Sequence, residues 1–294
     1  MRIFVTGSTG FVGSQVALEL IRGGHQVLGL TRSDQGAEAL VAIGAEAFRG
    51  DIEDLASLQH GAEQCDGVIH TAFDHDFAHF VENCQKDRRA ILALGAALEG
   101  SDRPLLITSG TPMGSSVPGQ MATEDQFNPA HPHPRAASEL AGFELTQRGI
   151  NVTVMRLAQI HDRVKQGLVS YVIELARRTG VSAYVDEGSN NWSAAHISDT
   201  ARLYRLALEK NQPGARYHAV AEERIAFRQI AVTIGHNLGL PVVSTPAAQA
   251  EEHFGWLAGF VGRDMSASSV LTREQLGWQP NGPSLLADLS ALAQ

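Results

Sequence analysis

Short runs of β-branched and aliphatic residues alternate with longer stretches in which apolar residues recur every three or four positions, and this alternation fills the first half of the chain. The runs Arg2 to Thr6, Gln26 to Thr31, Ala45 to Arg49, Gly67 to Thr71, Pro104 to Thr108 and Asn151 to Arg156 read as six strands. Between the first two, Phe11, Val12, Val16, Leu18, Leu20 and Ile21 suit one helix, ended by Gly23-Gly24. Repetition of this strand-helix-strand unit predicts an α/β fold of the Rossmann type, a doubly wound parallel sheet with crossover helices. After Arg156 the pattern is mixed, with helices expected near Leu168 to Arg178, Ser198 to Lys210 and Phe227 to Leu238, and strand-like pieces such as Arg216 to Val220. We therefore expect residues 1–160 to form the sheet domain, with a later segment, 190–220, returning to it, and residues 161–294 to form mainly a smaller mixed substrate lobe. The Pro- and Gly-rich stretch Gly110 to Pro134 interrupts the sheet where a substrate would need access above the strand ends.

Composition narrows the partners rather than the fold. With 44% hydrophobic and 19% charged residues, folding is expected throughout. A net charge of -9 and a pI near 5.7, with no run of Lys or Arg, argue against nucleic acid. The two cysteines, Cys65 and Cys84, have neither disulfide-framework nor CxxC spacing, which fits a reduced, cytoplasmic setting. A strand beginning within two residues of Met1 leaves no room for a leader, and no run reaches the length of a membrane span, so no membrane association is expected.

The chemistry begins at Thr6-Gly7-Ser8-Thr9-Gly10-Phe11-Val12-Gly13. A pyrophosphate at a helix N-terminus needs backbone N–H groups aimed at it and no Cβ in the way. Gly7 permits the turn, Gly10 the approach of the diphosphate and Gly13 close packing of helix on sheet. At the end of the second strand, where an NAD site offers a carboxylate to the ribose, the chain has Thr31-Arg32-Ser33. Arg32 between two hydroxyls suits a 2'-phosphate, so NADP(H) is preferred and NAD(H) remains possible. In the alternative, Arg32 is solvated and Asp34 turns back toward the ribose.

The TGxxGxxG spacing resembles the extended short-chain dehydrogenase/reductase superfamily, and further pieces match in order. Gly50-Asp51-Ile52 resembles its adenine-contacting GD(I/L) turn, Ile69-His70-Thr71-Ala72-Phe73 its HxAA segment beside the cofactor, and Thr108-Ser109-Gly110-Thr111-Pro112-Met113-Gly114 its strand-end SSxxVYG. Trp192 to Asp199 resembles WxxVHVxD, and Leu276-Gly277-Trp278-Gln279-Pro280 the closing LGWxP. The resemblance implies cofactor contacts from Asp51, Ile52, Thr71, Ala72, Phe73 and Leu157, and a catalytic hydroxyl at Ser109.

The family's Tyr-x-x-x-Lys is missing, since no tyrosine lies between Met1 and His161. One register, aligned on Glu139, places His131 at the tyrosine and Arg135 at the lysine, giving HxxxR as in an atypical subgroup of the superfamily. A competing register aligns Ser138-Glu139 with the family's Ser-Lys and puts Arg135 at the tyrosine. In the first, His131 titrates in the range a proton relay needs, Arg135 holds the ribose as a permanent cation, and Ser109 orients the substrate carbonyl.

These residues point to an NADP-dependent carbonyl reductase or alcohol dehydrogenase acting on a small to medium hydrophobic molecule. A non-enzymatic NADP-binding sensor and a nucleotide-sugar epimerase or dehydratase are the alternatives. His75 and His79, four apart, would share a helix face but lack a third ligand, so no metal is expected. His75 or Asp76 could reach the site's mouth. Glu124 or Asp125 with His131 and Ser109 could suggest a hydrolase triad, but there is no GxSxG elbow. His196 and Asp199 are read as fixing the junction between lobes, and Trp192, Trp256 and Phe260 as pocket or core. The helices after the fourth and fifth strands are candidates for a homodimer interface.

Overall fold

A computed structural model describes residues 1–117 and 119–292. Pro118, within the Gly110 to Pro134 stretch, lies outside the described residues, as do the last two residues of the expected lobe. Seven parallel strands form the main sheet: β1 (Arg2–Thr6), β2 (Gln26–Thr31), β3 (Glu46–Arg49), β4 (Gly67–His70), β5 (Leu105–Gly110), β6 (Val152–Leu157) and, after three strands placed elsewhere, Arg216–Ala219. Numbering in chain order makes that last strand β10, with β7 (Gln159–His161), β8 (Ser182–Val185) and β9 (Asn191–His196) before it and β11 (Glu222–Ala226) and β12 (Val242–Thr245) after it. The spatial order is β3-β2-β1-β4-β5-β6-β10, reversing between β1 and β4. Such a reversal opens a crevice at the carboxyl ends of the two strands.

The central strands β1, β4, β5 and β6 are buried on both faces, which is why they read as continuous apolar runs, while the edge strand β3 is not. Ile3, Val5 and Leu106 pack under α1 (Phe11–Arg22) and α7 (Ile197–Lys210), whereas Phe4, Leu105 and Ile107 pack under α3 (Leu55–Glu63), α4 (Phe80–Ala96) and α5 (Ala136–Gln147). In α1 the buried residues Gly13, Val16, Ala17 and Leu20 follow the three- and four-residue spacing of one helix face. The remaining helices used below are α2 (Asp34–Ala42), α6 (Leu168–Thr179) and α8 (Phe227–Leu238).

The smaller lobe holds a three-stranded sheet, β11-β9-β7, a parallel pair β12-β8, and α6 and α8 around a separate core that includes Val172, Trp192, Phe227 and Ile230. The strand anticipated at Arg216 to Val220 pairs with β6 and completes the main sheet. No helix among the described residues is long and apolar enough to cross a membrane.

Candidate functional site

The glycine turn closes the crevice from below. Gly7 has φ +67°, and a Cβ there would meet the Ala72 backbone nitrogen at 2.6 Å. At Gly13 a Cβ would meet the Gly7 carbonyl oxygen at 2.1 Å, so helix and turn approach closely only because both residues are glycine. Helix α1 starts at Gly10 with no side-chain cap, leaving its first N–H groups directed toward the cleft. Ser8 faces inward, donating to the Leu30 carbonyl at 2.9 Å, and Thr71 donates to Thr6 O at 2.7 Å, joining the ends of β1 and β4. A phosphate-bearing dinucleotide fits this cradle, with Thr9, Phe11 and Val12 bordering it.

At the end of β2, Arg32 projects outward with 77% of its side chain exposed and its guanidinium 3.6 Å from Asp51. Thr31 is buried, while Ser33 caps α2 by accepting from Gly36 N–H at 3.1 Å. Asp34 does not turn back toward the cleft; its carboxylate pairs with Arg49. Asp51 accepts from Glu53 N–H in its own turn, next to Ile52. The strand end therefore presents an exposed cation loosely paired with Asp51, its charge also felt by Asp74.

The catalytic candidates divide. Ser109 is buried at the end of β5, on the face covered by α4 and α5, and its Oγ has no hydrogen-bond partner. Its neighbour Thr108 points the other way, donating to His70 O at 2.7 Å and meeting the Tyr204 hydroxyl of α7 at 2.6 Å. That tyrosine lies behind the sheet and does not replace the missing one. Arg135 donates to Thr108 O at 3.0 Å and to Asp87 at 2.8 Å, and its guanidinium sits 4.0 Å over the ring of Phe73. Thus Arg135, Phe73 and the Ser109 strand end come together.

Behind them runs a buried relay. Asp87 also accepts from Ser138 at 2.6 Å and pairs with His70 Nε2 at 3.0 Å, and His70 Nδ1 lies 2.7 Å from the Thr6 hydroxyl. Burial alone would raise the Asp87 carboxyl, but the charge of Arg135 and the hydrogen bonds from His70 and Ser138 hold it below the usual carboxylate range.

His131 and Arg135 do not share a helix face. His131-Pro132-His133-Pro134 is a loop, and Arg135 is the N-cap of α5. Four-residue spacing brings two side chains together only inside a helix, and here Arg135 turns to Asp87 while Glu139, in α5, turns to Arg156. Glu139 is spent on a buried bidentate pair with Arg156, at 2.8 Å through each oxygen, and Arg156 also reaches His218 at 3.2 Å. His131 is half-buried with its Nδ1 accepting from His133 N–H at 3.1 Å, and His133 Nδ1 in turn accepts from Arg135 N–H at 3.2 Å. Burial, with the charge of Arg156 and against that of Glu139, lowers the His131 pKa. Burial and the nearby His131, Arg263 and Arg135 push His133 down to about 4.

Other expectations change. His75 and His79 do not lie on a common helix: His79 pairs with Asp76 at 2.7 Å, and His75 sets its edge against Phe73 and Phe77. Glu124 accepts from Thr272 and Asp125 from Thr123, so neither completes a triad with Ser109. His196 caps α7, and Asp199 accepts from the backbone of Asn281 and Gly282, tying the tail to the junction. Trp192 is core, packed on Phe227, whereas Trp256 is 46% exposed and stacks on Phe77 at 4.5 Å, with Phe260 at 6.0 Å. Leu157 ends β6, packed against the core beneath α1. Sequence reasoning missed Asp87, Phe77, Phe80 and Tyr171. The crowding of Phe73, His75, Phe77 and Phe80 into eight residues was a signal for the aromatic members.

Residues 3–221 match the model of the NAD dependent epimerase/dehydratase family. A Schizosaccharomyces pombe protein described as uncharacterized is 44% identical over 292 residues, covering 99% of both chains. A putative dihydroflavonol 4-reductase of Synechocystis is 26% identical over 260 residues, 81% of this chain and 73% of that one. Among solved structures, a dTDP-glucose 4,6-dehydratase from Streptomyces venezuelae with NAD bound superposes with a TM-score of 0.78 at 19% identity, over 99% of this chain and 95% of that one.

Proposed function

Because this chain belongs to the NAD dependent epimerase/dehydratase family, within the extended short-chain dehydrogenase/reductase superfamily, we propose that it is an NADP-dependent oxidoreductase that reduces a carbonyl group, or oxidises the matching alcohol, on a small to medium hydrophobic molecule. The observation that carries this reading is the buried, unpartnered hydroxyl of Ser109 beside the Arg135 guanidinium and Phe73. A buried hydroxyl without a partner costs about 1–3 kcal/mol, which a substrate oxygen at that position relieves. Gly7, Gly10 and Gly13 cradle the diphosphate, Arg32 meets the 2'-phosphate, and Asp51, Ile52, Thr71, Ala72 and Leu157 line the cofactor path.

The bound dinucleotide supplies or accepts the hydride. Ser109 donates a hydrogen bond to the carbonyl oxygen and orients it. Arg135 stabilises the negative charge that grows there; a guanidinium stays protonated and gives no proton. The proton comes from the imidazolium form of His131; because Nδ1 accepts from the His133 backbone N–H, the neutral ring holds its hydrogen on Nε2 and protonation at Nδ1 displaces that hydrogen bond. Epimerase and dehydratase chemistry is disfavoured, since that chemistry depends on the missing tyrosine.

NADPH oxidation across a carbonyl panel tests the reading. Turnover is expected to fall by about 100-fold in Ser109→Ala and in His131→Ala, the scale of one acid-base or oxyanion contact. Reduction should quicken as pH falls through the range below 6.5, and His131→Ala should flatten that profile. NADPH binding without turnover on any carbonyl would favour the sensor instead.

A further inference from the structure

Six rings from four separated segments form one connected cluster that meets Arg135 at Phe73. Phe73, Phe77 and Phe80 come from the end of β4 and the start of α4, His133 from the loop before α5, Tyr171 from α6 and Trp256 from the C-terminal lobe. Phe80 and Phe77 lie 5.7 Å apart with planes 22° from parallel, and Phe77 and Trp256 lie 4.5 Å apart at 15°. These three rings form one nearly parallel stack. Its inner end adjoins Phe73, 6.1 Å from Phe80 and capped by the Arg135 guanidinium, and Tyr171 and His133 meet it edge-on at 5.7 and 5.6 Å.

Simple packing of a loop on a lobe would bury such rings, as it buries Trp192 and Phe227. Here none of the six belongs to the buried core, and Trp256 at the outer end is 46% exposed. Phe80, Phe77 and Trp256 turn their faces on one another, so the open aromatic surface is the outer end at Trp256, and a planar partner laid there gains from offset stacking beyond its buried area. The side chains of Asp74, Asp76 and Arg135 are engaged by Lys86, His79 and Asp87, while Arg263 and Lys165 bring positive charge near His133 and His75.

We infer that the Phe80-Phe77-Trp256 stack is the substrate platform and that the substrate is a planar aromatic or conjugated carbonyl compound, its ring seated on the stack and its carbonyl directed to Ser109. This rests on the carbonyl-reducing reading of the site. The stack reaches across from the β4 end to the C-terminal lobe, so the ring is held by both halves of the molecule.

The test compares acetophenone with cyclohexyl methyl ketone, alike in size and different in planarity, by calorimetric binding to the NADPH-loaded full chain. Acetophenone is expected to bind about tenfold tighter, the scale of one or two aromatic contacts. Trp256→Leu should bring the ratio close to one, while Trp256→Phe, which keeps a ring, should retain most of it and serves as the folding control. Equal binding of both ketones, no binding of either, or a ratio unmoved in Trp256→Leu overturns the platform. Aromatic preference in binding with no NADPH oxidation would overturn the reductase reading alone; oxidation with equal use of both ketones would overturn the platform alone.

Discussion

Arg135 and Asp87, 48 positions apart in sequence, meet at 2.8 Å in a setting where the carboxylate is buried and the guanidinium nearly so. The same carboxylate ties Ser138 and His70, so the first turn of α5, helix α4 and the end of β4 are fixed to one another through a single group.

Removing that group leaves the guanidinium without its counter-charge. Asp87→Ala should lower the unfolding free energy by about 3–5 kcal/mol in a urea titration, the cost of a buried charge stripped of its partner. An unmoved midpoint would refute the pairing as a structural tie.

The same site predicts acid behaviour. The folded pKa of Asp87 is lowered, so its stabilisation is complete above the unfolded value near 3.8 and drains away as pH falls through the folded value. Stability of the wild type, followed by thermal melts from pH 5 downward, should fall more steeply than that of Asp87→Asn.

Two imidazoles act earlier in the pH scale. His133 is pushed down to about 4 and His218 to about 3, the latter by burial and the charge of Arg156, from an ordinary 6.5. Below 6.5 the unfolded chain takes up protons that the folded chain refuses, so stability declines by about 1.4 kcal/mol per pH unit for each group. Denaturation at pH 6 and pH 5 should show this slope, and His133→Phe should reduce it; an unchanged slope in that variant would count against a neutral buried His133.

The glycine turn has no slack. A Cβ at Gly13 would lie 2.1 Å from a backbone oxygen, so Gly13→Ala must shift the turn away from α1. Overpacking of this kind costs about 1–3 kcal/mol, and NADPH affinity, read by its fluorescence, should drop tenfold or more. Retained affinity would move the phosphates elsewhere.

Arg32 offers a separate measurement. With its guanidinium exposed and 3.6 Å from Asp51, Arg32→Ala should weaken NADPH by about ten- to hundredfold and leave NADH nearly unchanged. Equal losses for both nucleotides would remove the 2'-phosphate assignment.

The strands and the glycine turn were legible because their signals are local: Ile3, Phe4 and Val5 form a run buried on both faces, and Gly7 to Gly13 sits between a strand and an amphipathic helix. Ser109 was singled out by its place in an ordered series of motifs, and its hydroxyl is buried at the end of β5. The register around Arg135 was not. Spacing of four means proximity only inside a helix, and two prolines keep His131 out of α5. The partners that define the site, Asp87 for Arg135, Arg156 for Glu139 and Trp256 for Phe77, are distant in sequence and carry no periodic signature.

The path of the chain between its two halves has a consequence for synthesis. It leaves the main sheet after β6, builds β7, α6, β8 and β9, lays α7 on the sheet, and only then supplies β10 along the edge of β6. Until α7 exists, Val16, Leu20 and Ile3 lack the cover of Leu203, Tyr204 and Ala207. A nascent chain halted near residue 160 would hold every glycine of the phosphate turn and still expose an open apolar face, so it needs shielding on the ribosome until roughly the next sixty residues emerge.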